Sequence, residues 1–485
     1  MSLYVTMTEG MCMKTRAAGW LRNSAWVSVC LGLFGSPVMA GQLEDLLLEN
    51  KQISIDQWVK LKAEEEKREA KGLEESRGVG DVPLRERWYE KISIRGYAQV
   101  RYNHSLNRDE LVNNQGDRSI GNNNEFFLRR GRVIISGQPH DRVFVYIQPD
   151  FASSVDGSNN VGQLRDWYAD LFLTENKEWR IRAGQSKVPY GFENLQSSQN
   201  RLALDRNDAI NSAAKDERDM GLFLYYAPTS VRERFRRLVN SGLKGSGDYG
   251  MLGIGVYNGQ TANQREANKN KHVIFHSMYP YEFPNGQILE LGMDAYTGYF
   301  HVSTAPVVPA NAGITGGDTI TPRVTNGGNY LDERVAWHAV LFPQPFGFQA
   351  EYTIGRGPEL NQALTDVTLG SIRGGYLQFF YKYTCDTYCQ SILPFIRVQE
   401  YYGGKKHEAN APRHTVREWE AGFEYQFNRA LELTVMYTWT QRTSGESATL
   451  PVNSCSLSGS PVGCIQTPYQ LQSGNLLRFQ LQWSF

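Results

Sequence analysis

The residues Leu476 to Phe485 read LLRFQLQWSF, and their strict alternation limits what the chain can become more than any other stretch. Leu477, Phe479, Leu481, Trp483 and Phe485 fall on one side of an extended strand, and Arg478, Gln480, Gln482 and Ser484 on the other. A soluble sandwich would turn the apolar side to a core. Here the sequence ends on Phe485 with no polar tail, and the strand has about the 9–11 residues that cross a bilayer at a tilt. The pattern predicts the last strand of an outer-membrane barrel, with lipid outside and water inside.

Composition agrees with that reading. A chain of 485 residues would ordinarily hold several soluble cores, unless one architecture needs the length, as a large barrel does. Hydrophobic residues make up 41% and the mean hydropathy is −0.47, which argues against a helical membrane bundle but suits strands that are only half apolar. The 26 Tyr and 10 Trp fit girdles where amphipathic rings sit at headgroup level.

Near the N-terminus, Lys14, Arg16 and Arg22 precede an apolar run from Ala25 to Phe34, and Val38 and Ala40 supply the small residues of a cleavage site. Residues 1–40 therefore read as a signal peptide rather than an anchor, since the run is shorter than the ~20 residues a spanning helix needs. Basic and acidic side chains balance at 51 each, and removing the leader takes three of the first and one of the second, so the exported chain stays near neutral. Such a balance decides nothing about partners, and no nucleic-acid partner is expected. Four cysteines remain after cleavage. Cys385 and Cys389 lie close in sequence, as do Cys455 and Cys464, and an oxidising compartment favours two local disulfides. Neither pair has zinc-ligand spacing or a neighbouring His, so no metal and no cofactor is expected.

Residues 41–83 differ from everything after them. Ser54-Ile55-Asp56-Gln57 has the form of a capping box, and Ile55 to Ser76 is rich in Lys, Glu and Ala. This predicts a short periplasmic helical segment, either a solvated helix or one that self-associates as a coiled coil, followed by a flexible link. From residue 84 onward the barrel is expected. Ile92, Ile94, Ala98 and Val100 alternate with polar neighbours, and fifteen further segments of this type follow, near 125–138, 142–153, 162–174, 178–187, 217–227, 248–258, 271–283, 288–302, 333–342, 346–356, 371–384, 391–402, 413–428, 431–442 and 474–485.

The connections alternate in length as external loops and periplasmic turns do in bacterial barrels. Residues 103–124, 188–216, 303–332 and 443–473 are long, whereas 138–141, 175–177, 284–287, 343–345 and 428–430 are short. One connection breaks the rhythm. Thr229 to Ser246 should be a periplasmic turn, yet it is long and carries Arg232, Arg234, Arg236 and Arg237. Sixteen crossings nonetheless return Phe485 to the side where the barrel began. The fold class is therefore all-β: a 16-stranded antiparallel transmembrane β-barrel with a short N-terminal periplasmic helical segment.

If apolar positions face lipid, the other face can be read off. Arg95, Arg101, Arg130, Arg132, Arg180 and Arg182 would build a basic wall, and Asp150, Asp166, Asp170, Glu290, Asp294, Glu351, Glu418, Glu420 and Glu424 would supply carboxylates. A lipid-facing Arg at the bilayer midplane costs about 2–4 kcal/mol, so these charges must point into water. Arg130, Arg132 and Arg180 are the candidates for solute contact, because a guanidinium offers an anion two bonds at once. The competing reading has the arginines pair with nearby carboxylates and stiffen the wall. Residues 188–216 mix Leu195, Leu202, Leu204 and Ile210 with Arg201, Asp205, Arg206, Asp208 and Lys215, which suits a constriction loop folded into the lumen better than an ordinary surface loop.

FFLRRGRVIISG (126–137), LRDWYADLFL (164–173) and RIRAGQSKVPYGFENLQSSQ (180–199), followed by Arg218-Asp219-Met220-Gly221 and Val256-Tyr257-Asn258-Gly259, resemble the phosphate-selective porin O and P family. The resemblance implies a trimeric channel in the bacterial outer membrane, passing small solutes, anions such as phosphate among them. Members selective for phosphate carry an arginine ladder and a lysine cluster near the mouth. Arg130 and Arg132 match the arginine-rich second strand, whereas the neutral charge and acidic lumen candidates depart from a strongly cationic pore. A terminal aromatic, by similarity to outer-membrane proteins generally, serves recognition by the barrel assembly machinery.

Two other function classes fit less well. A barrel enzyme needs a nucleophile or acid with a histidine in reach, and the eight histidines are scattered without such a motif. A plugged receptor needs a folded domain ahead of the barrel, for which residues 41–90 are too few and too charged.

Overall fold

The computed structural model describes residues 91–106, 124, 126–155, 158–215, 218–307, 320–385, 387–444 and 471–485. The predicted signal peptide, the helical segment and the Cys455 and Cys464 pair lie outside them. Cys385 and Cys389 are joined as a disulfide.

Sixteen strands form one closed antiparallel barrel. They are β1 (Ile92–Ser105), β2 (Phe126–His140), β3 (Val143–Val155), β4 (Ser158–Phe172), β5 (Trp179–Lys187), β6 (Arg218–Tyr226), β7 (Leu252–Tyr257) and β8 (His272–Glu282). The second half comprises β9 (Ile288–His301), β10 (Asn329–Leu341), β11 (Phe346–Leu360), β12 (Val367–Tyr381), β13 (Ser391–Gly404), β14 (Arg413–Asn428), β15 (Leu431–Ser444) and β16 (Leu471–Ser484). Past Lys382, β12 resumes for Tyr383–Thr384, which also pairs with β13. Each strand pairs with its sequence neighbours, and β1 pairs with β16 in a register that sets Gln99 opposite Gln482 and Arg101 opposite Gln480. Closure removes the free edges, so the ladder satisfies backbone polar groups that lipid could not.

The alternation read from the sequence is the alternation of the wall. Trp167, Leu222, Ile254, Leu291, Trp419 and Trp483 stand on the outer face, exposed, while Arg101, Arg334, Arg397 and Arg478 are buried inside. Phe346, Tyr381, Phe427 and Trp483 cluster towards one set of strand ends and Phe126, Tyr299 and Trp439 towards the other, as two aromatic girdles would.

Differences from the sequence reading have physical causes. β10, β11 and β12 reach four residues beyond their apolar patterns, to Asn329, Leu360 and Val367, because the ladder continues beyond the lipid-facing band. β7 is shorter, starting at Leu252, because the residues before it leave the wall. The expected turn at Thr229 to Ser246 is instead a helix followed by a segment inside the barrel. α3 (Thr229–Asn240), named after the two short helices described below, buries Val231, Phe235 and Leu238, spaced four and three apart along one face. Its arginines hold the polar side: Arg232 meets Asp248 at 3.0 Å and Arg237 meets Glu282 at 2.8 Å.

Candidate functional site

Between β5 and β6 the chain turns into the lumen, and nearly every described residue from Val188 to Ala213 is buried. Two short helices, α1 (Phe192–Leu195) and α2 (Asp208–Ala213), shape this loop. Gly191 permits the inward turn: its φ is 81°, and a Cβ there would collide with the Glu351 carboxylate and Ile210. Asn207 caps α2 by accepting from the Ile210 N–H at 3.0 Å.

The loop is fastened to the wall by ion pairs and hydrogen bonds on several strands. The Gly191 N–H donates to Asp294 on β9 at 2.7 Å, and the Glu193 N–H to Glu351 on β11 at 3.2 Å. The Glu193 carboxylate accepts from Arg397 on β13 at 2.7 Å and from the Asn207 backbone N–H at 2.8 Å. Asp205 lies 2.6 Å from Arg478 on β16 and 3.3 Å from Arg101 on β1. Asp208 sits between Arg442 on β15 and Lys405 beyond β13, each at 2.8 Å. Burial pushes the Asp208 carboxyl upward, but Arg442 and Lys405 outweigh it and hold it well below the usual carboxylate range.

Apolar contacts complete the attachment. Tyr190 and Ile210 pack with Phe223, Tyr257 and Tyr296, while Leu202 and Leu204 pack with Phe380, Leu393 and Met436. The loop thus crosses the lumen, with contacts on β1, β6, β7, β9, β11 to β13, β15 and β16. Between it and the wall of β1 to β6 lies a cavity of about 200 Å³, lined by Arg95, Arg132, Arg182, Arg218, Asp166 and three tyrosines among others.

Membership follows from the sequence match. The model of the family described as phosphate-selective porin O and P matches residues 100–463, well over half of the chain. The chain belongs to that family. It is a porin of the bacterial outer membrane, a channel rather than a closed scaffold. No curated relative matches it. Among solved structures it is similar to the outer-membrane channel DcaP of Acinetobacter baumannii (13% identity, 81% of this chain and 97% of that one, TM-score 0.45). It is also similar to in-vitro folded OmpT of Vibrio cholerae in a trimer form (8%, 81% and 99%, 0.44) and to Salmonella typhi OmpF in complex with daunomycin (13%, 81% and 97%, 0.44).

The porin's charged residues divide into two sets. Arg132 meets Asp150 at 2.9 Å, Arg182 makes two bonds to Asp170 at 2.7 and 2.9 Å, and Arg180 meets Asp248 at 2.7 Å and Asp170 at 3.6 Å. Arg182 also stacks on Tyr168, its guanidinium carbon 3.9 Å from the ring centre. Asp166 receives Arg218 at 2.9 Å, Glu418 receives Arg442 at 2.8 Å, and Glu420 lies 3.4 Å from Arg397. Arg206 donates to the Asn194 side-chain amide oxygen at 2.7 Å, and the Lys215 N–H donates to His407 at 3.4 Å. All of these hold the wall or the loop in place.

Arg130 and Arg95 differ. Arg130 is buried, donates to Gln99 at 2.7 Å and has no carboxylate partner among the described residues. Its charged neighbours are Arg129, Arg132 and Arg201. Arg95 lines the cavity, is exposed, and makes no hydrogen bond or ion pair among the described residues.

Sequence reasoning did not single out Lys187, Glu193, Arg334, Arg397, Lys405 or Arg442. Lys187 donates to the carbonyls of Asn194, Leu195 and Gln196 at 2.9, 3.2 and 2.8 Å, gathering the C-terminal turn of α1. Arg334, Arg397 and Arg442 occupy wet-face positions of their strands, so the alternation contained the signal; their loop partners were far away in sequence.

Proposed function

We propose that this porin lets small solutes diffuse passively across the outer membrane with a preference for anions, set at the level of the inward loop. The observation that supports this is Arg130, a buried cation facing other arginines with no carboxylate partner among the described residues. An anion passing there gains from the Arg130 guanidinium without breaking an ion pair among the described residues, and in a narrow, partly dehydrated passage that attraction is less screened than in bulk water. The paired arginines nearby leave a modest net field, which fits weak anion preference rather than capture of phosphate alone. The test is the reversal potential of the purified protein in a planar bilayer under a salt gradient. Arg130→Gln should move it towards cation preference; an unchanged value would reject the role.

The assembly we propose is a homotrimer, in keeping with the family. Mass measurement on the detergent-solubilised protein tests it, a monomeric mass being the contrary result. Export by the N-terminal leader and insertion by the barrel assembly machinery complete the reading.

A further inference from the structure

The connection from β6 to β7 does more than close a turn. After α3, Leu243 to Ser246 are buried, and the Lys244 ammonium lies 2.5 Å from Glu424 on β14, on the far side of a barrel that the segment entered at β6. The segment therefore crosses the lumen. Burial pulls the Lys244 ammonium down, but Glu424 and Glu432 outweigh it and keep the side chain charged. On the way the strap meets the inward loop from below: Gln196 donates to the Lys244 carbonyl at 2.7 Å, and Leu238 and Leu243 share an apolar cluster with Phe192 of α1. Its other end is tied by Asp248, which accepts from Arg180 at 2.7 Å and Arg232 at 3.0 Å.

Residues 246–249, below Leu195 and Ser197 of the inward loop, then form one bank of the cavity whose other bank is β1 to β6. Ser246 is 8% exposed, and its hydroxyl has no hydrogen-bond partner among the described residues. A buried hydroxyl without a partner on a cavity wall is satisfied by whatever fills the cavity, water or solute. Across from it stand Arg132, Arg182 and Arg218, together with the unpaired Arg95.

We propose that this strap is a second selectivity filter, in series with the inward loop, that screens small anionic solutes between Ser246 and the arginines of β1 to β6. Lys244 is its positioning residue, holding the strap across the lumen through Glu424. The inference rests on the reading of the barrel as a diffusion pore. Two narrow points in series make the path longer and more discriminating than one loop would, because a solute must fit both.

The test places a thiol at the filter. Ser246→Cys protein in a planar bilayer is treated with methanethiosulfonate reagents of similar size and opposite charge, with wild type and Arg236→Cys, on the exposed side of α3, treated alike. Ser246→Cys should lose half or more of its single-channel conductance. The anionic label should also move the reversal potential towards cations and the cationic label towards anions, with both controls unchanged. Labelling confirmed by mass with no change in current, or no labelling at all, would overturn the proposal. Lys244→Met should raise conductance and lower ion discrimination, with Lys244→Arg restoring both; if Lys244→Met does not fold, the thiol experiment still decides. A wild-type protein that shows no conductance steps would instead overturn the pore reading itself.

Discussion

Asp205 and Arg478 are 273 residues apart in the chain and 2.6 Å apart in the barrel, both buried. Their contact, shared with Arg101, is where the inward loop reaches the strand that closes the cylinder. Asp205→Asn removes the carboxylate that two buried arginines face, and breaking a buried ion pair in this way costs on the order of 3–5 kcal/mol. The variant should show a larger, noisier open-channel current and a lower thermal midpoint, with Asp205→Glu intermediate. Wild-type noise in the Asn variant would mean the contact does not hold the loop.

Gly191→Ala strains the inward turn twice, through a positive φ and through collision with Glu351 and Ile210. With φ 81° and ψ 138°, such a sparsely allowed backbone conformation alone costs on the order of 1–3 kcal/mol for a residue with a Cβ. The loop should become cleavable by trypsin at Arg201 or Arg206 while the barrel stays intact. Protection equal to wild type would place the turn's determinant elsewhere.

The alkaline behaviour should report Lys406, which pairs with Asp332 at 2.5 Å beyond the end of β13. Burial lowers its pKa to about 8, with Asp332 opposing the shift. Because the folded value is depressed, the cost of burying the charge is present in full below about 8 and is relieved as pH rises towards the unfolded value near 10.4, so this group's contribution to stability improves over that window. The lumen loses a positive charge over the same rise. Anion preference should fall between about pH 7 and 9, and Lys406→Met should flatten the profile; an identical profile in both proteins would exclude Lys406 as the titrating group.

The disulfide between Cys385 and Cys389 closes a loop with a sequence separation of only 4. Chain-entropy reasoning gives such a small loop roughly 2 kcal/mol at most. Cys385→Ser should therefore lower the thermal midpoint slightly and leave conductance and reversal potential untouched. A changed conductance would show that the turn shapes the pore.

Much of this was legible because a lipid-facing wall imposes one rule on every strand. Leu477 to Phe485 obey it, and so do the wet-face arginines Arg397 and Arg442, whose alternation reveals where they point but not what they meet. Their partners, Glu193 and Asp208, sit on a loop whose path depends on many contacts made together, and no local pattern encodes it. The strap was hidden for a different reason. Thr229 to Ser246 reads as a periplasmic turn of unusual length, and its glycine and polar residues suit solvent and tight packing equally. The three-residue apolar stripe of Val231, Phe235 and Leu238 was the available clue that something behind that turn needed covering.

The seam between β1 and β16 joins residues as far apart as Gln99 and Gln482, a separation of 383. A contact that spans so much of the polypeptide carries a large loop-closure cost, which makes it slow to form. Until it forms, two strands present bare rows of amide and carbonyl groups, sticky to each other's copies in a crowded aqueous compartment. The same pairing that leaves the finished cylinder without an edge therefore leaves its unclosed precursor with two edges open to pairing with other copies.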